Sequence, residues 1–242
     1  MTTNRVEFLD LYFQRSAIKF PKVLTFTNLF CMPLEKLVLE PARAWALWRI
    51  SEDESTLTNL LDGIEDISDT ISNRHKRLEW LAGRVLVSKL FSSMSLTFQG
   101  ITKDIHGKPF PVGYDYHLSL THSFPFVAVL VDKHGPAGID LEQPKDKLLR
   151  IAPRVLHAEE LEDAGQDITK HCVYWCAKES MIKFHGQKNL VLAENLRVHP
   201  FDLGEEGDIR GRIIVSNTER MVPLHYIVTT HFVLVFNQPA IL

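Results

Sequence analysis

The length, composition and charge of the chain are those of an ordinary globular protein. It has 242 residues, of which 45% are hydrophobic and 24% are charged, and its formal net charge is −3 at pH 7. This is enough chain for one large domain or two small ones with a sizeable core. Because there is no basic excess and no Lys/Arg block, we expect neither nucleic acid nor a membrane surface as a partner.

The N-terminus and the cysteines indicate the compartment. Residues 1–7 lack the basic, apolar and small-residue order of a signal peptide, and the apolar run at 126–131 is too short to span a bilayer. Three cysteines, Cys31, Cys172 and Cys176, do not form a disulfide framework. We therefore expect a cytoplasmic protein. A structural zinc site needs four ligands, so buried thiols are favoured over zinc for Cys172 and Cys176.

The first elements in chain order are strands and a short helix. Residues 1–43 cannot be placed, apart from a possible strand at 23–27. A strand is predicted at 44–50 from its apolar and aromatic content. Ser51 then resembles an N-cap, followed by acidic residues that suit the first turn of a helix ending at Leu61.

A longer helix is predicted over 75–91, because its apolar residues recur at helical spacing. Arg77 and Arg84 are seven positions apart and therefore lie on one side of it. They form either a solvated basic face or a clamp for an anion, since guanidinium groups bind phosphate oxygens well.

A turn at 105–110, which carries Lys108, precedes a hairpin. Strands are predicted at 116–123 and 126–132 with a tight turn between them. Thr121, His122 and Ser123 fall at that turn. Their hydroxyl, imidazole and backbone donors could face an anion, although a polar turn alone would explain them as well.

The segment Gly-Ile-Asp-Leu-Glu at 138–142 is predicted to be a short strand. Side chains alternate faces along a strand, so Asp140 and Glu142 point to one side while Ile139 and Leu141 anchor the other. The two carboxylates could hold Mg²⁺, which proteins bind through one or two carboxylates with phosphates and water. The alternative is an edge strand with a solvated acidic face.

Helices are predicted at 158–163 and 169–185. Glu179 and Lys183 share a face of the second helix that differs from its apolar face. They form either a surface salt bridge or, respectively, a third metal carboxylate and a phosphate ligand. A second antiparallel set follows, with strands predicted at 211–215, 225–230 and 231–236.

The two halves of the chain resemble one another. Trp80-Leu81-Ala82 lies 95 positions before Trp175-Cys176-Ala177, and each half has a strand, helices and an antiparallel pair. This predicts an α+β fold of two similar lobes: an N-terminal lobe at 1–134, in which 1–43 is an unplaced extension, and a C-terminal lobe at 135–242. A cleft between lobes is a natural ligand site.

Several motifs of the chain resemble those of one protein family. The segments 138–142 and 175–183 (Trp-Cys-Ala-Lys-Glu-Ser-Met-Ile-Lys) are similar to the two signature motifs of the 4′-phosphopantetheinyl transferases of the surfactin-synthetase-activating type. Supporting matches are 107–109 (Gly-Lys-Pro), 118–123 (Leu-Ser-Leu-Thr-His-Ser) and 77–84 (Arg-Leu-Glu-Trp-Leu-Ala-Gly-Arg). The resemblance covers roughly residues 44–236 and keeps the family's order of motifs.

The resemblance implies a single chain with two lobes that binds coenzyme A and Mg²⁺, with Mn²⁺ as an alternative. It implies transfer of the phosphopantetheine arm to a serine of an acyl or peptidyl carrier protein, with release of adenosine 3′,5′-bisphosphate, and we expect a monomer. Asp140, Glu142 and Glu179 would bind the metal, with Glu179 and Lys183 catalytic. Lys183 would also bind the diphosphate or the pantetheine phosphate. The remaining nucleotide ligands carried over are Lys108, Thr121 and His122, with Arg77 and Arg84 as further candidates.

The base for the carrier serine is Glu179 or a metal-bound water. The segment Phe124-Pro125-Phe126 replaces a turn that is usually small or polar in the family, which predicts a reshaped nucleotide pocket. The competing functions are a Mg²⁺-dependent phosphoester hydrolase, and a non-catalytic module that binds coenzyme A or a carrier protein.

Overall fold

The computed structural model describes residues 22–23 and 34–239, apart from 66, 68, 188, 189 and 217. The predicted strand at 23–27 lies outside the described residues except at its first position. Cys31 lies outside them as well.

In the first half of the chain, up to Asp132, most strands belong to one antiparallel sheet. The elements of this half are β1 Lys22–Val23, β2 Leu34–Glu40, β3 Arg43–Arg49, α1 Glu54–Leu61, α2 Arg74–Ser93, β4 Ile101–Lys103, β5 Pro109–Pro111, β6 His117–Ser123 and β7 Phe126–Asp132. The five-stranded sheet has the order β1-β2-β3-β7-β6, and β4 pairs with β5 separately. The predicted strand at 44–50, helix at 75–91 and hairpin at 116–132 are confirmed.

The predicted N-cap of the first helix is wrong. α1 begins at Glu54, and its N-cap is Asp53, not Ser51. The Asp53 carboxylate accepts a hydrogen bond from the backbone N–H of Thr56 at 2.8 Å, and an aspartate caps a helix as well as a serine does. Asp53 stands closer to the apolar residues of the helix, so capping there satisfies its first free N–H groups.

The second half forms another five-stranded antiparallel sheet. Its elements are β8 Ile139–Glu142, α3 Lys147–Val155, α4 Ala158–Ala164, α5 Ile168–His185, α6 Leu192–Asn195, β9 Leu196–Val198, β10 Glu206–Val215, β11 Thr218–Val228 and β12 Val233–Asn237. The strand order is β8-β12-β11-β10-β9. The helices at 158–163 and 169–185 and the antiparallel set are confirmed, although β10 and β11 are longer than predicted.

Three clusters of buried apolar residues form the core. One joins α2 to the first sheet, and a second joins α5 to the second sheet. The third lies between the two sheets, where Trp45 of β3 approaches Phe236 of β12 with 5.0 Å between ring centroids. The α+β class is confirmed. The division into two similar lobes near residue 134 stays a prediction. Among the described residues, no helix has the length and apolar composition needed to cross a membrane.

Candidate active site

The carboxylate of Asp140 lies where the two sheets meet. Asp140 is on β8, the edge strand of the second sheet, and its residue is only 7% exposed. The Thr121 hydroxyl donates to Asp140 Oδ1 at 2.9 Å, and Lys183 Nζ donates to the same oxygen at 2.8 Å. Three predicted site residues from β6, β8 and α5 are therefore in direct contact. The solvated acidic face considered for this strand does not exist at Asp140.

Side-chain hydroxyls join the edges of the two sheets. Ser119 Oγ accepts the backbone N–H of Ile139 and Thr121 Oγ1 accepts that of Leu141, each at 3.1 Å. These bonds satisfy N–H groups of β8 that an edge strand would otherwise leave unpaired. Thr121 also donates to Asp140, so one hydroxyl both fixes the strand and orients the carboxylate.

Glu142 is the second carboxylate of β8 and has a different set of partners. It accepts hydrogen bonds from Ser123 Oγ at 2.8 Å, from the backbone N–H of Gln143 at 2.9 Å and from Lys147 Nζ at 2.9 Å. Burial opposes ionisation, but the hydrogen bonds from Lys147, Gln143 and Ser123 outweigh it and hold the pKa of Glu142 below its usual value. The group is therefore a stable anion at neutral pH.

Glu179 lies on α5, near Asp140. Burial raises the pKa of Glu179, the charge of Asp140 raises it further, and Lys183 opposes them. Among the described residues, no side chain or backbone group donates a hydrogen bond to its carboxylate. The salt bridge from Glu179 to Lys183 that the spacing allowed is replaced by the bond from Lys183 to Asp140.

The three carboxylates are of the type that binds a hard divalent cation, but they are not gathered around one point. Carboxylates are the protein ligands that Mg²⁺ prefers, and the mutual repulsion of Asp140 and Glu179 is relieved by a positive charge between them. Within the described part of the chain, however, no group of three acidic, histidine or cysteine side chains is arranged to hold a metal ion. In this structure the Lys183 ammonium neutralises Asp140.

Lys183, which bonds to Asp140, also lines a pocket of about 240 Å³. Its lining combines apolar and basic groups and includes Lys108, Ser119, Leu120, Ile182, Lys183 and Gly186. Lys108 Nζ donates to the Phe184 carbonyl at 3.2 Å, near the C-terminal end of α5. Two of the predicted phosphate ligands, Lys108 and Lys183, are thus brought to one pocket from opposite halves of the chain.

His122 is held by a buried carboxylate that the sequence interpretation missed. Glu79 of α2 is 5% exposed, and its carboxylate lies 3.1 Å from His122 Nδ1. It also accepts hydrogen bonds from Lys76 Nζ and from the backbone N–H of Phe124, each at 2.9 Å. This arrangement fixes the imidazole by one nitrogen. The signal in the sequence was an acidic residue within the apolar face of the predicted helix at 75–91.

Replacing Glu79 should change how stability depends on pH. Burial opposes ionisation, but the bonds from His122 and Lys76 lower the pKa of Glu79 from 4.5 to about 2. Because the folded pKa lies below the unfolded one, the stabilisation is complete above about pH 5 and is lost as the pH falls towards 2. Urea unfolding at pH 6 and pH 3 should show a smaller loss of stability for Glu79→Gln than for wild type. Equal losses in both proteins would contradict this assignment.

Phe124, in the turn that departs from the family, packs on α2. Its ring stacks on His75 with centroids 4.0 Å apart and planes at 9°. Its carbonyl accepts a hydrogen bond from Gln143 Nε2 at 2.6 Å, so both backbone groups of Phe124 are bound. Whether this aromatic turn reshapes a nucleotide pocket stays a prediction.

Arg77 and Arg84 are each paired with a carboxylate. Arg77 bonds to Glu54 at 2.7 Å, which attaches α1 to α2. Arg84 bonds to Glu65 at 2.7 Å, and its guanidinium carbon is 3.5 Å from the Trp80 ring centroid. The structure thus places both guanidinium groups in contacts that attach neighbouring segments to α2. Their role as phosphate ligands stays a prediction.

Comparison with known proteins finds a match for the segment that carries the predicted metal ligands. Residues 136–231 match the family described as the 4′-phosphopantetheinyl transferase superfamily. This segment is therefore similar to the 4′-phosphopantetheinyl transferase superfamily. It contains Asp140, Glu142, Glu179 and Lys183, and it confirms the resemblance drawn from the sequence motifs.

Two curated relatives carry the same description. The chain is 34% identical over 119 residues to the 4′-phosphopantetheinyl transferase AcpT of Salmonella typhimurium, over 46% of this chain and 60% of AcpT. It is 33% identical over 116 residues to the 4′-phosphopantetheinyl transferase psf-1 of Bacillus pumilus, over 44% of this chain and 49% of psf-1. The chain thus spans about half to three fifths of the length of these relatives.

Within the superfamily segment, a buried lysine holds α5 in place. Lys178 directly precedes Glu179, and its side chain is fully buried together with that of Glu160. Lys178 Nζ lies 2.6 Å from Glu160 and donates to three backbone carbonyls at 2.9–3.1 Å, those of Val155, Leu192 and Leu196. The ammonium therefore connects the helix of Glu179 and Lys183 to α3, α6 and β9. The sequence interpretation assigned Lys178 no role.

Proposed function

We propose that this protein transfers the 4′-phosphopantetheine arm of coenzyme A to a serine of an apo acyl or peptidyl carrier protein and releases adenosine 3′,5′-bisphosphate. The observation that carries the proposal is the contact of Thr121, Asp140 and Lys183 beside the pocket that Lys108 lines. The superfamily match of residues 136–231 and the names of the relatives support the same reaction.

The proposed site residues have two roles, charge stabilisation and proton transfer. We propose that Asp140, Glu142 and Glu179 hold Mg²⁺ or Mn²⁺, which when bound would supply Lewis-acid stabilisation of diphosphate charge. Lys183 both pairs with Asp140 and lines the pocket, so it is placed to bind a phosphate oxygen of the co-substrate. Lys108, Thr121 and His122 would bind the remaining phosphate oxygens, because phosphoryl chemistry depends mainly on positioning and charge stabilisation.

The carrier serine needs a base, and we propose Glu179 for this role. Unlike Asp140 and Glu142, its carboxylate accepts no hydrogen bond from a described residue. One of its two oxygens would hold the cation, and the other would accept the proton that the serine hydroxyl loses as its oxygen attacks phosphorus.

One side of α3 provides a basic surface for an acidic carrier protein. Lys147 bonds to Glu142, which attaches the start of α3 to the carboxylates of the site. Arg150 and Arg154 are exposed and follow at intervals of three and four residues, so they continue the same side of the helix. Charge complementarity of this kind increases the association rate and orients the partner.

Reversing the charge on α3 should weaken carrier recognition selectively. In the double variant Arg150→Glu/Arg154→Glu, we expect the KM for an acidic carrier to rise about 10-fold and to lose its salt dependence. The KM for coenzyme A should stay unchanged. The control is Lys89→Glu, which reverses an exposed charge near the C-terminal end of α2. Equal KM values for the carrier in wild type and the double variant would remove α3 from the interface.

Two competing functions are separated by one assay. A hydrolase would release adenosine 3′,5′-bisphosphate from coenzyme A without a carrier, whereas a transferase would release it only when an apo carrier is present. A binding module would release none in either case. Chromatography of the nucleotide products with and without carrier therefore tests the proposal, and we expect release that depends on the carrier.

We further propose that the protein acts as a monomer in the cytoplasm. Its described cysteines, Cys172 and Cys176, are free thiols buried in α5, which suits a reducing compartment.

A further inference from the structure

Additional basic side chains surround the C-terminal end of α5, where the neighbouring residues Lys183 and Gly186 line the pocket. The guanidinium carbon of Arg220, on β11, lies 4.4 Å from the Phe184 ring centroid. Lys108 Nζ bonds to the Phe184 carbonyl, and the next residue is His185. Gly186, which lines the pocket with Lys108, ends the helix with a φ of +83°. A Cβ there would lie 3.0 Å from Lys108 Cδ, so the glycine permits the close approach of the lysine.

The positive charge at this point is poorly compensated. Within the described part of the chain, Arg220 has no carboxylate partner, and Lys108 Nζ bonds only to a carbonyl. The Nε2 atom of His185 is buried and has no hydrogen-bond partner. Burial lowers the pKa of His185 and the charges of Arg220 and Lys108 lower it further, while a hydrogen bond with the Gln187 side chain opposes the shift. Burial also lowers the pKa of Lys108, where Asp104 opposes the shift and Arg220 adds to it.

We propose that Arg220 and His185 are co-substrate-binding residues that, together with Lys108, bind a phosphate group of coenzyme A at the edge of the pocket. The inference rests on the proposed function and extends it to two residues that the sequence motifs did not include. An anion would supply the acceptor that His185 Nε2 lacks and the negative charge that Arg220 and Lys108 lack. The competing explanation is that Arg220 only covers the Phe184 ring through a cation–π contact.

The test compares variants that separate charge from packing. Arg220→Met keeps an apolar side chain against Phe184 but removes the charge. By titration calorimetry with coenzyme A, we expect Arg220→Met to raise Kd about 10-fold or more, because a hydrogen bond to a charged group is lost. Arg212→Met, from the neighbouring strand, is the control, since Arg212 pairs with Glu219 at 3.1 Å. A Kd for Arg220→Met within twofold of wild type would assign Arg220 to packing and overturn the proposal.

A second ligand identifies which phosphate is bound. If the group is the 3′-phosphate, the effect of Arg220→Met should disappear with 3′-dephospho-coenzyme A. If it is the diphosphate, the effect should be the same for both ligands. Either result supports the proposal and assigns the subsite. His185→Phe, which keeps an aromatic ring but removes both nitrogens, should weaken binding of the same ligands as Arg220→Met does. Unchanged binding would remove His185 from the site.

Because coenzyme A binding is measured separately from arm transfer, the experiments distinguish failure of this inference from failure of the proposed function. If coenzyme A binds through Arg220 but no arm is transferred to any carrier, the transferase assignment fails and this inference stands. If wild type transfers the arm and Arg220→Met binds coenzyme A normally, this inference fails and the transferase assignment stands. A wild-type protein that does not bind coenzyme A at all would overturn both.

Discussion

Asp140→Asn is expected to lower phosphopantetheine transfer at least about 100-fold. Substitutions of groups that only support a metal ligand typically cost 10–100-fold, so the loss of a ligand itself should cost at least as much. The amide keeps the size of the carboxylate and can still accept the Thr121 hydroxyl, whose bond to Oδ1 is 2.9 Å long. It loses the negative charge that a cation and Lys183 both require. The measurement is kcat/KM for a carrier protein at saturating coenzyme A.

Stability and a matched carboxylate provide the controls for this variant. Lys183 retains 29% side-chain exposure, so its unpaired ammonium can be hydrated, and we expect a change in unfolding free energy of no more than about 1 kcal/mol. Glu162→Gln, an exposed carboxylate on α4, should retain full activity. Near-normal transfer by a folded Asp140→Asn protein would show that this carboxylate is dispensable for the chemistry.

Lys178→Met is expected to have the largest effect on stability. The Lys178–Glu160 pair is inaccessible to solvent on both sides, at 0% and 1% side-chain exposure. Removing one partner of a buried ion pair leaves an uncompensated charge and costs about 3–5 kcal/mol. Three backbone carbonyls also lose a donor. Urea denaturation should therefore show a much lower midpoint, and the region that carries Glu179 and Lys183 should lose its order.

A double variant and an exposed pair test the cause of that effect. Glu160→Gln in the Lys178→Met background removes the stranded charge, so we expect it to recover part of the lost stability. The exposed pair of Arg212 and Glu219 lies at 33% and 52% exposure, and Arg212→Met should change stability by no more than about 1 kcal/mol. A small loss in Lys178→Met, similar to that of the exposed pair, would mean that the buried ammonium contributes little to the position of α5.

Local patterns predicted most of the elements. The apolar run at 126–131 became β7, and the helical spacing around Met181 became α5, because burial of a continuous apolar face dominates both structures. The start of α1 was misplaced because Ser51 and Asp53 are both good caps, and only the position of Thr56 decides between them. The motif resemblance correctly predicted the superfamily of residues 136–231.

The contacts between distant residues were not available from local patterns. The spacing within α5 suggested that Lys183 pairs with Glu179, whereas the fold brings it to Asp140, 43 positions away. Glu79 and Lys178 are charged residues on buried helix faces. The spacing of apolar residues predicts the buried face but gives no role to a charged residue within it. Each becomes interpretable once its partner is known: His122 for Glu79, and Glu160 for Lys178. Arg77 and Arg84 resembled an anion clamp because Glu54 and Glu65 were not known to face them.

The most direct test of the central claim is the intact mass of an apo carrier protein after incubation with this protein, coenzyme A and Mg²⁺, with an EDTA control. We predict a gain of about 340 Da, the mass of one phosphopantetheine arm on a nucleophilic serine, and its loss in EDTA. The Asp140→Asn protein should give almost no gain in the same time. No gain across several unrelated apo carriers, while the protein still binds coenzyme A, would contradict the transferase assignment and favour a binding module.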